Sequence, residues 1–273
     1  MRYKTFSPSS KLMPYVRNYW LLEVDKSDCP VIQNILPFGS FELIIHLKNV
    51  CEMTSFANSC KSFMQPQFFY TGQFTKPISI NFQNEAKVLA ASLHPWAGNL
   101  LFKIPADKFT NETISVDLFE KNISFTERLL NSKKDSELIF LLEQFLQLKL
   151  MHYIPDKIVS RIVKEIKMEN STKKLNKLLN ESGLSRRRIE QKFLETTGLT
   201  MSHLLRKIRF QKAVQFLRNF PLKSLTQIGL DAGYYDQAHF IRDFKDFSNL
   251  SPREYLIQEF GMKKFVEGLM LVD

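Results

Sequence analysis

The chain has 273 residues, more than one core usually organises, so two domains are expected. Apolar residues at 44% and charged residues at 24% exclude a disordered or fibrous polymer. The net charge of +10 is uneven: Lys173 to Leu256 holds 16 Lys/Arg against 8 Asp/Glu, while the remainder holds 22 against 20.

A locally basic region is an electrostatic footprint for a polyanion, most commonly nucleic acid. No run reaches the roughly 18 apolar residues of a membrane span, and the start MRYKTFSPSSKLMPYV lacks the apolar segment of a signal peptide, so a cytoplasmic protein without a membrane partner is expected. Cys29, Cys51 and Cys60 form no CxxC pair, which argues against a disulfide framework or a zinc ribbon.

In chain order, the first half carries short runs rich in β-branched and aromatic residues: Ile35 to Leu47, Pro66 to Phe82 and Lys87 to Pro95. Pro, Gly, Asn and Ser bound them, as expected between strands. His46 with Cys51, or His94 alone, are metal-ligating types, but no second pair has ligand spacing, so neither a metal nor a cofactor is expected. Cys51 and Cys60 read as buried, inert thiols. Trp20, Trp96 and the N-terminal phenylalanines are candidates for an effector pocket, with most of them expected in the core.

From about Leu118 the period changes. Leu138, Leu141, Leu142, Phe145, Leu146 and Leu148 recur at helical spacing, either as a dimer seam or as the buried face of a connector. Pro155 suits a first helical position, and Ile158, Ile162, Val163 and Ile166 follow on one stripe. The division expected is an α+β chain: a mainly β domain over 1–118, a helical connector over 119–154, an all-α domain over 155–260 and a tail over 261–273.

The C-terminal part repeats a phrase. LNKLLNESGLSRRRIEQKF (Leu175 to Phe193) and LTQIGLDAGYYDQAHFIRDF (Leu225 to Phe244) each hold a short apolar helix, a glycine suited to positive φ (Gly183, Gly233), a capping residue (Ser185, Asp236) and a second helix. This is a helix-turn-helix written twice, over about 175–196 and 225–247. The helix expected between them, Thr200 to Asn219, is roughly 30 Å long at about 1.5 Å per residue, close to the rise of one DNA turn. It can act as a ruler setting two reading helices in successive major grooves.

At 100° per residue, Ile189 and Phe193 turn inward in the first reading helix and leave Arg187, Glu190, Gln191 and Leu194 outside, flanked by Arg188 and Lys192. In the second, Phe240, Phe244 and Phe247 mark the buried side, opposed by Ala238, Arg242 and Lys245 with His239 beside them. Arg and Gln can meet guanine and adenine, and Ala or Leu the thymine methyl, so these two faces hold the candidate base readers. Ser185, Arg186, Arg188, Lys192, Gln237 and Lys245 are candidates for phosphate contact and positioning. Tyr234 and Tyr235 are expected to pack.

The span from about Pro155 to Phe260 resembles the AraC/XylS-type DNA-binding domain through GLSRRRIEQKF, LLRKIRFQKAVQFL, IGLDAGYYDQAHFIRDFK and SPREY. The resemblance implies a seven-helix, two-lobed domain that binds promoter DNA, with base-contacting positions on Arg187, Glu190, Gln191, Ala238, His239 and Arg242, nearly the set on the two outward faces. Leu179 stands where that family usually has a small residue, and Gln191 where it commonly has a basic one. Roughly Thr5 to Leu118 resembles a sensor-type domain through NYWLLEV, ILPFGSFELIIHL, TGQFTKPISI and LHPWAGNLLF, with Phe38 where an Asp is common.

These readings predict a sequence-specific transcription regulator and not an enzyme. The expected partner is double-stranded promoter DNA, bound by the fragment from Pro155 onward alone. RNA polymerase, a small-molecule effector and a second copy of the chain are further candidates. A DNA-targeted enzyme would carry a nucleophile motif such as PCxR or GxSxG, and neither occurs. A non-specific architectural protein would lack the polar readers.

Overall fold

In a computed structural model, residues 1–57, 60–116, 123–168, 178–220 and 223–259 are described. The first residues of the first repeat (175–177), part of the connector boundary (117–122) and the expected tail (261–273) lie outside them.

The N-terminal part is two antiparallel sheets. The strands are β1 (Arg2–Phe6), β2 (Val16–Val24), β3 (Val31–Ile35), β4 (Phe41–His46), β5 (Glu52–Ser55), β6 (Lys61–Met64), β7 (Phe68–Thr71), β8 (Ile78–Phe82), β9 (Ala86–Leu93) and β10 (Thr113–Ser115). One sheet runs β1-β2-β9-β4-β7-β10 and the other β3-β8-β5-β6. In the larger sheet β4 pairs with β9 on one side, Leu43 opposite Ala91 and Ile45 opposite Leu89, and with β7 on the other.

Both faces of the larger sheet are covered. Leu22, Val24 and Val88 pack toward Met53, Ile80 and Phe82 of the smaller sheet, while Leu21, Leu43 and Leu89 pack with the helices. This explains why β7 and β9 read as nearly continuous apolar runs rather than clean alternations. The edge strand β6 is exposed throughout and carries Lys61, a charge that discourages edge pairing.

The connector forms α1 (Ile123–Asn131) and α2 (Asp135–Leu150). In α2, Leu138, Leu141, Leu142, Phe145 and Leu146 are buried in the chain's own core, so the dimer-seam reading of Leu142 and Phe145 is corrected. Leu148 departs from the stripe and is 74% exposed. α3 (Lys157–Lys167) starts later than expected: Asp156 caps it by accepting from the Ile158 and Val159 amides, both at 2.9 Å, and Pro155 precedes the cap. Charge and geometry favour Asp over Pro there because the first-turn N–H groups need an acceptor.

Beyond a helical turn at 178–181 come α4 (Arg186–Thr197), α5 (Met201–Asn219), α6 (Leu225–Asp231), α7 (Gln237–Ser248) and α8 (Pro252–Glu259). Two apolar clusters serve this region. Leu178, Ile189, Phe193, Leu199 and Leu204 belong to the cluster that runs through the connector into the β domain. Phe210, Val214, Ile228, Phe240, Phe244 and Phe247 form a separate one. The first lobe thus shares its core with the N-terminal part, while the second has a buried cluster of its own against which only the partly buried Leu36 and Phe38 of the N-terminal part pack.

Candidate nucleic-acid interface

Each reading helix is started by a side-chain cap. Ser185 accepts from the Arg188 amide at 3.3 Å to open α4, and Asp236 accepts from the His239 amide at 2.7 Å to open α7. The turns before them use Gly183 at φ 70 and Gly233 at φ 88, the left-handed region. Nothing lies within 4 Å of where a Cβ on Gly183 would stand, so the dihedral alone calls for glycine there. Gly229 is different: a Cβ would meet Phe240 Cβ at 3.1 Å, so the missing side chain lets α6 and α7 close. Leu179 occupies the matching place in the first copy and packs partly buried against the shared core.

The inward faces follow the expected arithmetic. Ile189, Phe193, Phe240, Phe244 and Phe247 are buried. Arg187, Glu190 and Gln191 of α4 and Ala238 and Arg242 of α7 are exposed, and His239 is partly exposed.

Among the positioning candidates, Arg186, Arg188, Gln237 and Lys245 are also exposed. Arg187, Arg188, Arg242 and Lys245 form no ion pair with any described residue, which leaves four cations free for phosphates or base edges.

Other candidates have protein partners. Arg186 Nε donates to Glu190 Oε1 at 3.0 Å, one turn on, and Gln191 Nε2 donates to Glu195 Oε1 at 2.8 Å. Gln237 Oε1 accepts from Thr226 Oγ1 at 2.7 Å, across the turn of the second copy. Lys192 is set apart, since its ammonium pairs with Asp156 at 2.5 Å and so ties α4 to the start of α3. His239 lies edge-on to the Tyr234 ring at 5.2 Å, with its Nε2 3.8 Å from Asp243. Tyr234 packs as expected, but Tyr235 is 86% exposed, a correction that follows from its place at the outer bend ahead of the Asp236 cap.

α5 joins the copies. Thr200 caps it, accepting from the His203 amide at 3.1 Å, and its 19 residues give a length of roughly 28 Å at about 1.5 Å per residue. Two residues on it escaped the sequence reading. Lys207 is completely buried, and burial pulls its ammonium down to about 7. Its Nζ donates to Gln73 Oε1 at 3.2 Å and to the Phe74 carbonyl at 2.8 Å, both in the β domain. The signal was present: three residues after Leu204 and one before Ile208, position 207 lies inside the apolar arc. Arg206 donates to Asp243 at 2.8 Å and to Asp246 at 2.8 Å, coupling α5 to α7. No local pattern marks that pair, since 37 and 40 residues separate the partners.

The first lobe is sewn to the β domain as well. Gln73 Nε2 donates to the Thr197 carbonyl at 2.9 Å, and Thr110 Oγ1 to the Gly198 carbonyl at 2.8 Å. Gly198, at φ 72, ends α4, and a Cβ there would meet Thr110 Oγ1 at 2.7 Å.

Residues 178–258 match a helix-turn-helix domain, and residues 4–115 match a domain of unknown function, DUF6597. The helix-turn-helix match falls on the C-terminal helical region. An HTH-type transcriptional regulator of Haemophilus influenzae is 25% identical over 142 residues, covering 50% of this chain and 47% of the relative. An HTH-type transcriptional regulator of Staphylococcus aureus is 28% identical over 138 residues, covering 45% of this chain and 18% of the relative. The probable transcription factor PqrA of Proteus vulgaris is 28% identical over 103 residues, covering 37% of this chain and 84% of that protein. The chain thus spans about half the length of the Haemophilus relative and less than a fifth of the Staphylococcus one. Among solved structures, ToxT of Vibrio cholerae aligns over 94% of this chain and 98% of its own at 14% identity and a TM-score of 0.48. Both α4 and α7 lie within the residues that match the helix-turn-helix domain.

Proposed function

We propose that the protein is a sequence-specific transcription regulator that reads promoter DNA with α4 and α7 and is modulated by its N-terminal domain. One observation carries the reading: two helices on one rigid connector each bury an apolar face and turn outward a set that combines free cations with hydrogen-bonding side chains. On this reading Arg187, Glu190, Gln191, Ala238, His239 and Arg242 face bases, while Ser185, Arg186, Arg188, Gln237 and Lys245 position the helices on the backbone. Lys192 contacts phosphate only by leaving Asp156. The caps take the Arg188 and His239 amides and leave the earlier amides of each first turn as further phosphate donors.

A cytoplasmic location on the nucleoid goes with this function, and no enzymatic step is part of it. Recruitment of RNA polymerase belongs to the same proposal. Self-association through the exposed α2 residues Phe140 and Leu148, rather than the buried stripe, is part of the same proposal; sedimentation of Phe140→Asp against the parent checks it.

Selection from randomised duplex DNA with the full chain tests the main reading. The expected result is an enriched site with two half-sites about 10 base pairs apart and affinity that falls steeply with salt. Salt-sensitive binding without any enriched sequence would replace it with an architectural role.

A further inference from the structure

A cavity of about 140 Å³ lies between the two sheets, walled mainly by apolar side chains such as Trp20, Leu22, Ile44, Met53, Ile80 and Phe82. An apolar void of about 150 Å³ is enough to hold a benzene ring, so the space suits one ring or a short branched chain. Strand alternation turns Glu42, Ile44 and His46 of β4 toward it.

The polar groups in the wall differ in their needs. Glu42 is satisfied, accepting from Trp20 Nε1 at 3.0 Å, Ser92 Oγ at 2.8 Å and Ser40 Oγ at 2.5 Å. Arg17 is engaged with Asn18 Oδ1 at 3.2 Å and Ser40 Oγ at 3.4 Å. His46 is not satisfied. Its Nε2 stands 3.1 Å from Gln65 Oε1, an acceptor, while the amide nitrogen of Gln65 turns to Met53 Sδ at 3.5 Å. Burial pulls the His46 imidazole down to about 4, so at neutral pH it holds one proton, which Nε2 donates to Gln65. Nδ1 is then a bare lone pair, buried and without a partner among the described residues.

We propose that this cavity is a ligand site for a small, uncharged, largely apolar molecule with one hydroxyl group, which donates to His46 Nδ1. Arg17 and Glu42 in the same wall offset each other's charge, and the apolar lining gives no hydration to an ion of either sign. Occupancy is felt in the DNA-binding part through residues that serve both surfaces. Phe38 and Phe74 line the cavity. Phe38 stacks on Phe210 of α5 at 6.5 Å and its carbonyl accepts from Gln211 Nε2 at 2.6 Å, while the Phe74 carbonyl accepts from Lys207 Nζ at 2.8 Å. This second clause rests on the proposed regulatory function; the binding site does not.

Calorimetry on the full chain with 4-methylphenol, toluene and 4-methylbenzoate tests it. The phenol is expected to bind about fivefold or more tighter than toluene, the worth of one hydrogen bond, with the benzoate weakest. His46→Leu is expected to equalise phenol and toluene. Should that variant not fold, the ¹⁵N resonance of His46 Nδ1 in the parent answers the same question, shifting with the phenol and not with toluene. Tighter binding of the benzoate, equal binding of phenol and toluene to the parent, or no binding of any of the three overturns the proposal. DNA affinity measured with and without the phenol addresses the relay: an unchanged affinity beside intact phenol binding removes the relay alone, and absence of DNA binding under both conditions counts against the regulator reading instead.

Discussion

Lys76, in the segment between β7 and β8, donates to both the backbone oxygen of Asp246 at 2.7 Å and its carboxylate at 2.5 Å. A residue of the β domain therefore holds the second reading helix one turn beyond Arg242. Arg206 holds the same carboxyl group from α5.

Burial pushes the Asp246 carboxyl up, but the bonds from Lys76 and Arg206 outweigh it and leave it below its ordinary value. Its contribution to stability is therefore complete above the usual carboxylate range and lost as pH falls below it. Both side chains of the Lys76 pair remain about a third exposed, so Lys76→Ala is expected to cost under about 1 kcal/mol. Amide exchange of the last turn of α7 should rise in that variant while α4 is unaffected. Equal protection in both proteins would show that the bond does not restrain the helix.

Arg242→Ala is expected to relax base preference in one half-site and to cost about 1 to 3 kcal/mol at the matched sequence. Lys245→Ala should weaken all sequences nearly alike and lower the salt slope by about 1. Titration of matched and mismatched duplexes at several salt concentrations separates them. An unchanged selected site for Arg242→Ala removes it from the base readers.

Gly229→Ala places a methyl 3.1 Å from Phe240 Cβ, tighter than ordinary contact between α6 and α7. A loss of about 1 to 3 kcal/mol in urea unfolding is expected from this overpacking. Gly183→Ala strains the backbone instead, having space but the wrong φ. A neutral Gly229→Ala would mean that α6 can shift outward at no cost.

Lys207 gives the protein a pH signature with a definite sign. Its ordinary value is 10.5 and burial pulls it to about 7, so between those values the unfolded chain binds more protons than the folded one. Stability rises with pH across that window and is independent of this group below it. Relative to Lys207→Met, the parent should gain on the order of 2 kcal/mol between pH 7 and 9. Parallel stability profiles for the two proteins would exclude a titrating Lys207.

A fragment starting at Pro155 loses the β-domain and connector side of the cluster that covers Leu178, Ile189 and Phe193, but keeps every buried member of the second lobe's cluster and loses only the partly buried Leu36 and Phe38 packed against it. Amide exchange in the isolated fragment is expected to be fast in α4 and slow in α7. Contact with DNA would then come mainly from the second half-site. Full protection of α4 in the fragment would show that the shared cluster is dispensable to it.

The sequence by itself determined what depends on neighbours along the chain. The two capped turns, the inward sets Ile189/Phe193 and Phe240/Phe244/Phe247 and the outward readers follow from helical period, capping chemistry and positive φ at Gly183 and Gly233, all set within a few residues. β4 and β9 were visible as apolar runs, but their places in a sheet covered on both faces were not. Only the tertiary structure decided that the α2 stripe is core, that Tyr235 is outside, and that Lys192 belongs to Asp156. It alone brought Gln73, Phe74 and Lys76 against Lys207 and Asp246, across 133 to 170 residues. Such contacts leave no periodic trace because a buried hydrogen bond is fixed by where two elements meet in space, and chain closure over that distance carries no local preference for either partner.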